Sequence, residues 1–221
     1  MIIKHLKEHF FNELTKEEHL NKIKEGALPY SRLMTYYKCA IMEVETKFKV
    51  LNEQFSLRYD ENPIEAIKSR LKSPDSIVNK MHRKNIPMTT DAIEQNIFDI
   101  AGIRIICSFK QDIYKMADLL LQQDDIKLVE KKDYIKHPKE SGYRSLHLVV
   151  EIPIFLSDKT YNMPVEVQIR TIAMDTWASL EHELKYKRKE EMPENVAQEL
   201  RKCAKAMAEV DTTMERIHKM F

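Results

Sequence analysis

The run from Lys136 to His147 reads KHPKESGYRSLH and packs Lys136, His137, Lys139, Arg144 and His147 around Gly142 and Tyr143. Cations and imidazoles donate to phosphate oxygens, and a tyrosine ring offers a face on which a base can stack. The run leads into SLHLVVEIPIF, an apolar strand-like segment. A loop of this chemistry at a sheet edge reads as a nucleotide site; its plainer alternative is a polar connection.

Glycine narrows how a phosphate can be held. The chain has only Gly26, Gly102 and Gly142, and a phosphate loop or dinucleotide fingerprint needs two or three glycines at fixed spacing. Neither can be written here, so side chains must hold any phosphate. Arg70, Lys72, Lys80, Arg83 and Lys84 are available, read as two short helices joined by a turn at Ser73 to Ser76. Lys80 and Lys84 share a helix face, with Ser76 one turn earlier. They form either a solvated basic face or a side-chain cradle for a triphosphate.

Two acids complete the set. In VEVQIR the side chains alternate, with Val165, Val167 and Ile169 on one face and Glu166, Gln168 and Arg170 on the other. Glu166 is either part of a wet sheet face or a metal ligand or base in a cleft. Asp99 and Arg104 flank Ala101-Gly102 in an apolar segment. They form a local ion pair, or they offer one oxygen to a divalent cation and one guanidinium to a phosphate or ring. Glu181-His182-Glu183 lacks the HExxH spacing and reads as surface helix, and Trp177 with the Met174 to Leu180 stripe reads as core.

The remaining composition is that of a soluble globular protein. The 221 residues carry a net charge of +1, with 43% hydrophobic and 32% charged residues. A near-neutral balance argues against a general nucleic-acid coat, so a nucleic-acid partner is not expected. No apolar run approaches a membrane span, and the charge-broken start is not a signal peptide. Cys39, Cys107 and Cys203 form no CxxC pair, which suits a reducing cytoplasm.

Hydrophobic spacing predicts a short amphipathic helix over 1–25, with Ile3, Leu6, Phe10 and Leu14 near one face, punctuated by Gly26 and Pro29. A long helix follows from Tyr30 to about Tyr59. Asn62-Pro63 predicts a helix start before IEAIKSRLK, Ser73-Pro74-Asp75 another before SIVNKMHRK, and Thr90 caps DAIEQNIF. Strands are predicted at Phe98–Phe109, Ile126–Glu130, Ser145–Phe155 and Met163–Arg170, with a helix over Asp112–Gln122. Thr171 caps the next helix, and a last one starts near Glu194.

Together the segments RLKSPDSIVNKMHRK, DIAGIRIICSF, KDYIKHPKESGYRSLHL and VEVQIRTIAMDTWASLEH, with the closing helix, resemble the synthetase domain of the Rel/Spo alarmone enzymes. They cover most of residues 62–215 in order. The resemblance is to the small alarmone synthetases, of the RelP type. It implies an α+β fold: a mixed central β-sheet of about five strands flanked by helices, with N- and C-terminal helical extensions. The expected division is a helical extension over 1–61, a nucleotidyltransferase-like core over 62–190 and an oligomerisation helix over 191–221.

The implied activity is transfer of pyrophosphate from ATP to the ribose 3′-hydroxyl of GDP or GTP, releasing AMP. The resemblance makes Asp99 and Glu166 Mg²⁺ ligands, with Glu166 activating the hydroxyl. Arg70 and Arg104 would sandwich adenine, and Lys72, Ser76, Lys80 and Arg83 would hold the ATP phosphates. Tyr143 would stack on guanine while Lys139, His147 and Gln168 contact the acceptor, and Lys136, His137 and Arg144 are expected at the same GDP or GTP site. No His-Asp dipeptide of a hydrolase half occurs in the chain. Long members carry Arg-x-Lys-Asp or Glu-x-Asp-Asp before the loop; Glu130-Lys131-Lys132-Asp133 mixes the two and leaves the acceptor open. A homotetramer in a bacterial cytoplasm is implied. The alternatives are a pyrophosphokinase acting on a tRNA 3′ end, or a non-catalytic sensor of guanine nucleotides or RNA.

Overall fold

A computed structural model describes the backbone of residues 2–59, 62–186 and 192–220, and the side chains of 28–57, 62–184 and 192–220. Alternation decides the layers. Ile103, Ile105, Leu148, Val150, Val165, Val167 and Ile169 all project to one side of a sheet and are fully buried. A face so apolar must be covered. The covering helices are α1 (Ile2–Tyr59) and α4 (Lys110–Leu121), which bring Tyr37, Val44, Phe48, Ile113, Met116 and Leu120 into the same core.

The sheet has five strands in the order β1-β2-β5-β4-β3, namely β1 (Ile64–Leu71), β2 (Ala101–Cys107), β3 (Lys127–Asp133), β4 (Leu146–Phe155) and β5 (Thr160–Thr171). Only β2 and β5 pair in parallel, so the sheet is mixed. Helices α2 (Pro74–Lys84) and α3 (Thr90–Asn96) lie between β1 and β2 in sequence. On the opposite sheet face, α5 (Ile172–Tyr186) and α6 (Glu194–His218) enclose a second cluster of Trp177, Ala178 and Ala204. Trp177 and Met174 are core, as expected, whereas Leu180 is exposed. The α+β class and the five-stranded mixed sheet match the expected fold. Phe48 has no exposed surface, so Phe48→Ala is expected to cost about 3–5 kcal/mol in urea unfolding.

Several local expectations are corrected. The Gly26 and Pro29 punctuation does not end a helix: α1 is continuous, with Pro29 inside it. A proline removes one ladder bond, to the carbonyl four residues earlier, and costs about 3 kcal/mol. Docking of Leu33, Tyr37, Ala40 and Val44 on the core holds the turns that follow. The expected apolar face at Ile3, Leu6, Phe10 and Leu14 lies outside the described side chains.

The segment IEAIKSRLK is strand β1, not a helix. Ile64, Ile67 and Leu71 have helix-like spacing, but antiparallel pairing to β2, from Ile64↔Cys107 to Leu71↔Ala101, covers what would otherwise be an open sheet edge. The ladder continues beyond the strand through Lys72 N–H to the Ile100 carbonyl at 2.9 Å. Ser73 does cap α2, with Pro74 at the first helical position. The cap of α3 is Thr89, one residue before the expected Thr90, and its hydroxyl accepts from Ala92 N–H at 3.2 Å. Strand β2 starts at Ala101, later than Phe98, because Ile97 and Ile100 are both plugged into the core by a turn. Asp99 therefore sits in that turn and not within a strand.

Candidate active site

The polar face of the sheet is assembled by register. Arg70, Gly102 and Glu166 stand opposite one another across β1, β2 and β5. One pleat along, Lys68, Arg104, Gln168 and His147 do the same across β1, β2, β5 and β4. The apolar half of each strand fixes this polar half, since a one-residue slip would bury every charge. A cleft of about 470 Å³ opens over this face, lined by Lys68, Ser69, Arg70, Asp99, Gly102, Ile103, Arg104, Glu166 and Gln168. Gly102 keeps its floor low: a Cβ there would meet only the Arg70 carbonyl oxygen, at 3.5 Å.

Asp99 anchors one end. Its Oδ2 receives Lys72 Nζ at 2.8 Å and Lys80 Nζ at 2.7 Å, while its Oδ1 is buried without a hydrogen-bond partner. Lys72 follows β1 and Lys80 sits on α2, so two elements converge on one carboxylate. Ser76 lies in the first turn of α2, receiving a hydrogen bond from Ser73 Oγ at 2.8 Å, and Arg83 is exposed in its last turn.

The loop between β3 and β4 reaches the site through His147, which meets Glu166. Asp133 starts the loop, accepting backbone N–H groups of Ile135 and Lys136, each at 3.0 Å. Arg144 Nη1 donates to the Ile135 carbonyl at 3.0 Å and ties the loop's end to its beginning. Arg144 thus has a structural partner, and Lys136 lies over the Tyr114 ring, 5.4 Å from its centroid. Lys136 and His137 are exposed, as is Lys139. Lys139 stands over the rings of Tyr134 and Tyr143, at 4.6 and 4.8 Å. The Tyr143 hydroxyl pairs with His147 Nε2 at 2.8 Å, and His147 Nδ1 lies 3.3 Å from Glu166 Oε1. Gln168 Nε2 donates to Glu166 Oε2 at 2.9 Å.

Gly142 is required where it stands. Its φ is +93°, and a Cβ there would lie 2.5 Å from Cβ of Ala204 on α6. The loop is thus packed against the last helix. Gly142→Ala is expected to destabilise the protein by about 1–3 kcal/mol, from left-handed strain and overpacking. A urea midpoint within error of the wild type would contradict that packing.

A family model described as a region found in RelA/SpoT proteins matches residues 69–191. The chain is 43% identical over 201 residues to the GTP pyrophosphokinase YwaC of Bacillus subtilis, covering 91% of this chain and 96% of that protein.

The chain belongs to the RelA/SpoT family.

Its structure is similar to that of small alarmone synthetase 1 from Bacillus subtilis bound to its product pppGpp, with a TM-score of 0.81 and 38% identity over 86% of this chain and 97% of that one. The same synthetase bound to AMPCPP gives a TM-score of 0.75 at 36% identity, covering 86% and 96% of the two chains.

Within this RelA/SpoT fold, local charge sets the state of both acids. Burial alone would raise the Glu166 carboxyl, but His147 and Gln168 outweigh it and hold the group below its ordinary value. Burial opposes ionisation of Asp99 too, and Lys72 and Lys80 win. Both acids are therefore carboxylates at neutral pH. Among the described residues no three His, Cys, Asp or Glu side chains are grouped to hold a metal ion. Two carboxylates on one cleft, one with an orphaned buried oxygen, fit an ion that takes its other ligands from nucleotide phosphates and water, as Mg²⁺ does.

Three groups at the site were missed or given no role in the sequence reading. Lys68 was hidden because its segment read as a helix. Arg170 was placed on the right face but is 4% exposed and pairs with Asp175 at 3.2 Å. Asp175, in the first turn of α5, also meets Lys68 at 3.1 Å and Arg104 at 3.2 Å. An acid just after a Thr-capped helix start was the available signal.

Proposed function

We propose that this chain is a (p)ppGpp synthetase, transferring pyrophosphate from ATP to the ribose 3′-hydroxyl of GDP or GTP and releasing AMP. The observation that carries the reading is one cleft lined by both Asp99, clamped by Lys72 and Lys80, and Glu166, which is joined through His147 to Tyr143. The names of the relatives, a GTP pyrophosphokinase and synthetases bound to pppGpp or AMPCPP, support it. Within the small alarmone synthetases we assign the RelP type on the sequence resemblance.

In this reading Arg70 and Arg104 hold the adenine, as planar guanidinium groups stack on rings. Lys72, Lys80, Ser76 and Arg83 hold the triphosphate. Tyr143 stacks on guanine, with Lys139, His147 and Gln168 at the acceptor, while Lys136, His137 and Arg144 shape the loop's outer side. Glu166, an ionised carboxylate, takes the proton of the 3′-hydroxyl as that oxygen attacks the β-phosphorus of ATP. AMP leaves with the bridging oxygen. Asp99 and Glu166 would hold Mg²⁺, which when bound neutralises phosphate charge. Everything else is positioning by the cations named.

The division into a helical extension (1–61), a catalytic core (62–190) and an oligomerisation helix (191–221), a homotetramer, and a cytoplasmic setting belong to the same proposal. The exposed apolar residues Val210, Met214 and Ile217 on α6 suit self-association. Among the described residues no helix is long and apolar enough to cross a membrane. Incubation with γ-labelled ATP, Mg²⁺ and GDP or GTP tests the activity. Label in a more anionic guanine nucleotide with matching AMP is expected; intact ATP would refute it, and labelled tRNA in a parallel reaction would replace the acceptor.

A further inference from the structure

We propose that Asp175 is a positioning residue that couples the donor and acceptor halves of the cleft. The assignment of halves rests on the synthetase reading; the coupling itself rests on geometry.

Lys68 and Arg104 stand directly opposite each other on β1 and β2, a placement in which like charges repel. Arg170 adds a third cation, two residues beyond Gln168, the β5 partner of Arg104. The burial of Arg104 and the charge of Arg170 both work against its protonated state. One side chain resolves this crowding. Asp175 Oδ2 takes Lys68 Nζ at 3.1 Å, and its Oδ1 takes Arg104 Nη1 and Arg170 Nη1, each at 3.2 Å. Asp175 is 6% exposed and lies in the first turn of α5, where the helix dipole also favours a carboxylate. Three cations from three adjacent strands are thus gathered on one acid.

Arg170 carries the effect across the site. Its Nη2 donates to the Tyr143 hydroxyl at 2.5 Å and to Gln168 Oε1 at 2.9 Å, and its Nε reaches Ser145 Oγ at 3.4 Å. Gln168 in turn donates to Glu166, and Tyr143 pairs with His147. A continuous path of ion pairs and hydrogen bonds runs from Lys68 and Arg104 on the donor floor, through Asp175 and Arg170, to the acceptor ring and the base. Asp175 itself does not line the cleft. It acts by fixing where Arg104 and Tyr143 stand.

The test is calorimetric binding of AMPCPP and of GDP, separately, to wild type, Asp175→Asn and Asp175→Glu, followed by Tyr143→Phe on each background. Asp175→Asn is expected to weaken both nucleotides about tenfold or more, and Asp175→Glu to restore most of that loss. Loss of the tyrosine hydroxyl should cost GDP affinity at least about threefold less in Asp175→Asn than in wild type, since its partner is already displaced. Weakening of one nucleotide alone, equal losses in Asn and Glu, or an additive cycle would overturn the proposal. Should Asp175→Asn not fold, the same cycle with Arg170→Lys in its place decides, because Arg170 carries the contact from Asp175 to Tyr143, and an additive result there would equally overturn the proposal. Binding needs no turnover, so failure of synthesis would sink the activity and leave this test intact.

Discussion

Glu166→Gln is expected to fold like the wild type and to lose alarmone synthesis by at least about 10²-fold, the scale of a lost general base. That is about 2.7 kcal/mol in the barrier. The argument is local. Glu166 sits in mid-β5 with Val165 and Val167 buried on either side, so its backbone position does not depend on its charge. Its Oε2 accepts from Gln168 and its Oε1 faces His147 Nδ1. A glutamine keeps the shape and can keep one of these contacts, but it cannot take a proton from a hydroxyl. Initial rates with saturating ATP and GDP, beside a thermal melt, check both halves. Near-normal turnover in a well-folded variant would remove Glu166 from the role of base.

The pH dependence follows from the same contacts. His147 and Gln168 hold the Glu166 carboxyl low, and Lys72 and Lys80 do so for Asp99. A carboxyl lowered in the folded state contributes stability and activity at neutral pH. Both are lost as pH falls through the lowered values, below the ordinary carboxyl range of about 4.

What the sequence disclosed about this site depended on how local each signal was. β5 was legible because alternation needs only six residues, and VEVQIR sorts its acid and amide onto one face without outside help. The loop was legible by composition, yet composition did not separate the residues of its inner side from those of its rim. Lys139, Tyr143 and His147 interlock, whereas Lys136 turns to the Tyr114 ring. β1 was misread because Ile64, Ile67 and Leu71 satisfy a helical period as well as any strand pattern. Only the partner strand, 30 to 43 residues away along the register from Leu71↔Ala101 to Ile64↔Cys107, decides the matter. That error separated Lys68 from Arg70 and hid Lys68 as a cation of the cleft floor. The role of Asp175, beyond its place at a helix start, was hidden for a deeper reason. Its three partners lie on three strands, so its role exists only once the sheet order β1-β2-β5 is known.

Asp99→Asn is expected to reduce synthesis by about 10²–10³-fold, comparable with removal of one preorganised electrostatic group from an active site. It should also raise the Mg²⁺ concentration needed for half-maximal rate. Asp99 is placed by a turn that buries Ile97 and Ile100, so its position survives the substitution. What changes is charge. Lys72 and Lys80, at 2.8 and 2.7 Å from one of its oxygens, would lose their shared counter-ion. The other oxygen, buried and without a partner, would be the one a cation needs. The two effects pull apart in experiment. Unopposed lysines attract the triphosphate, so the KM for ATP should change little or fall while kcat collapses. A purely structural role for Asp99 predicts the reverse: a raised KM for ATP, an unchanged Mg²⁺ requirement and a lowered melting temperature. Mg²⁺ titrations at fixed ATP, with melts of both proteins, separate the two accounts.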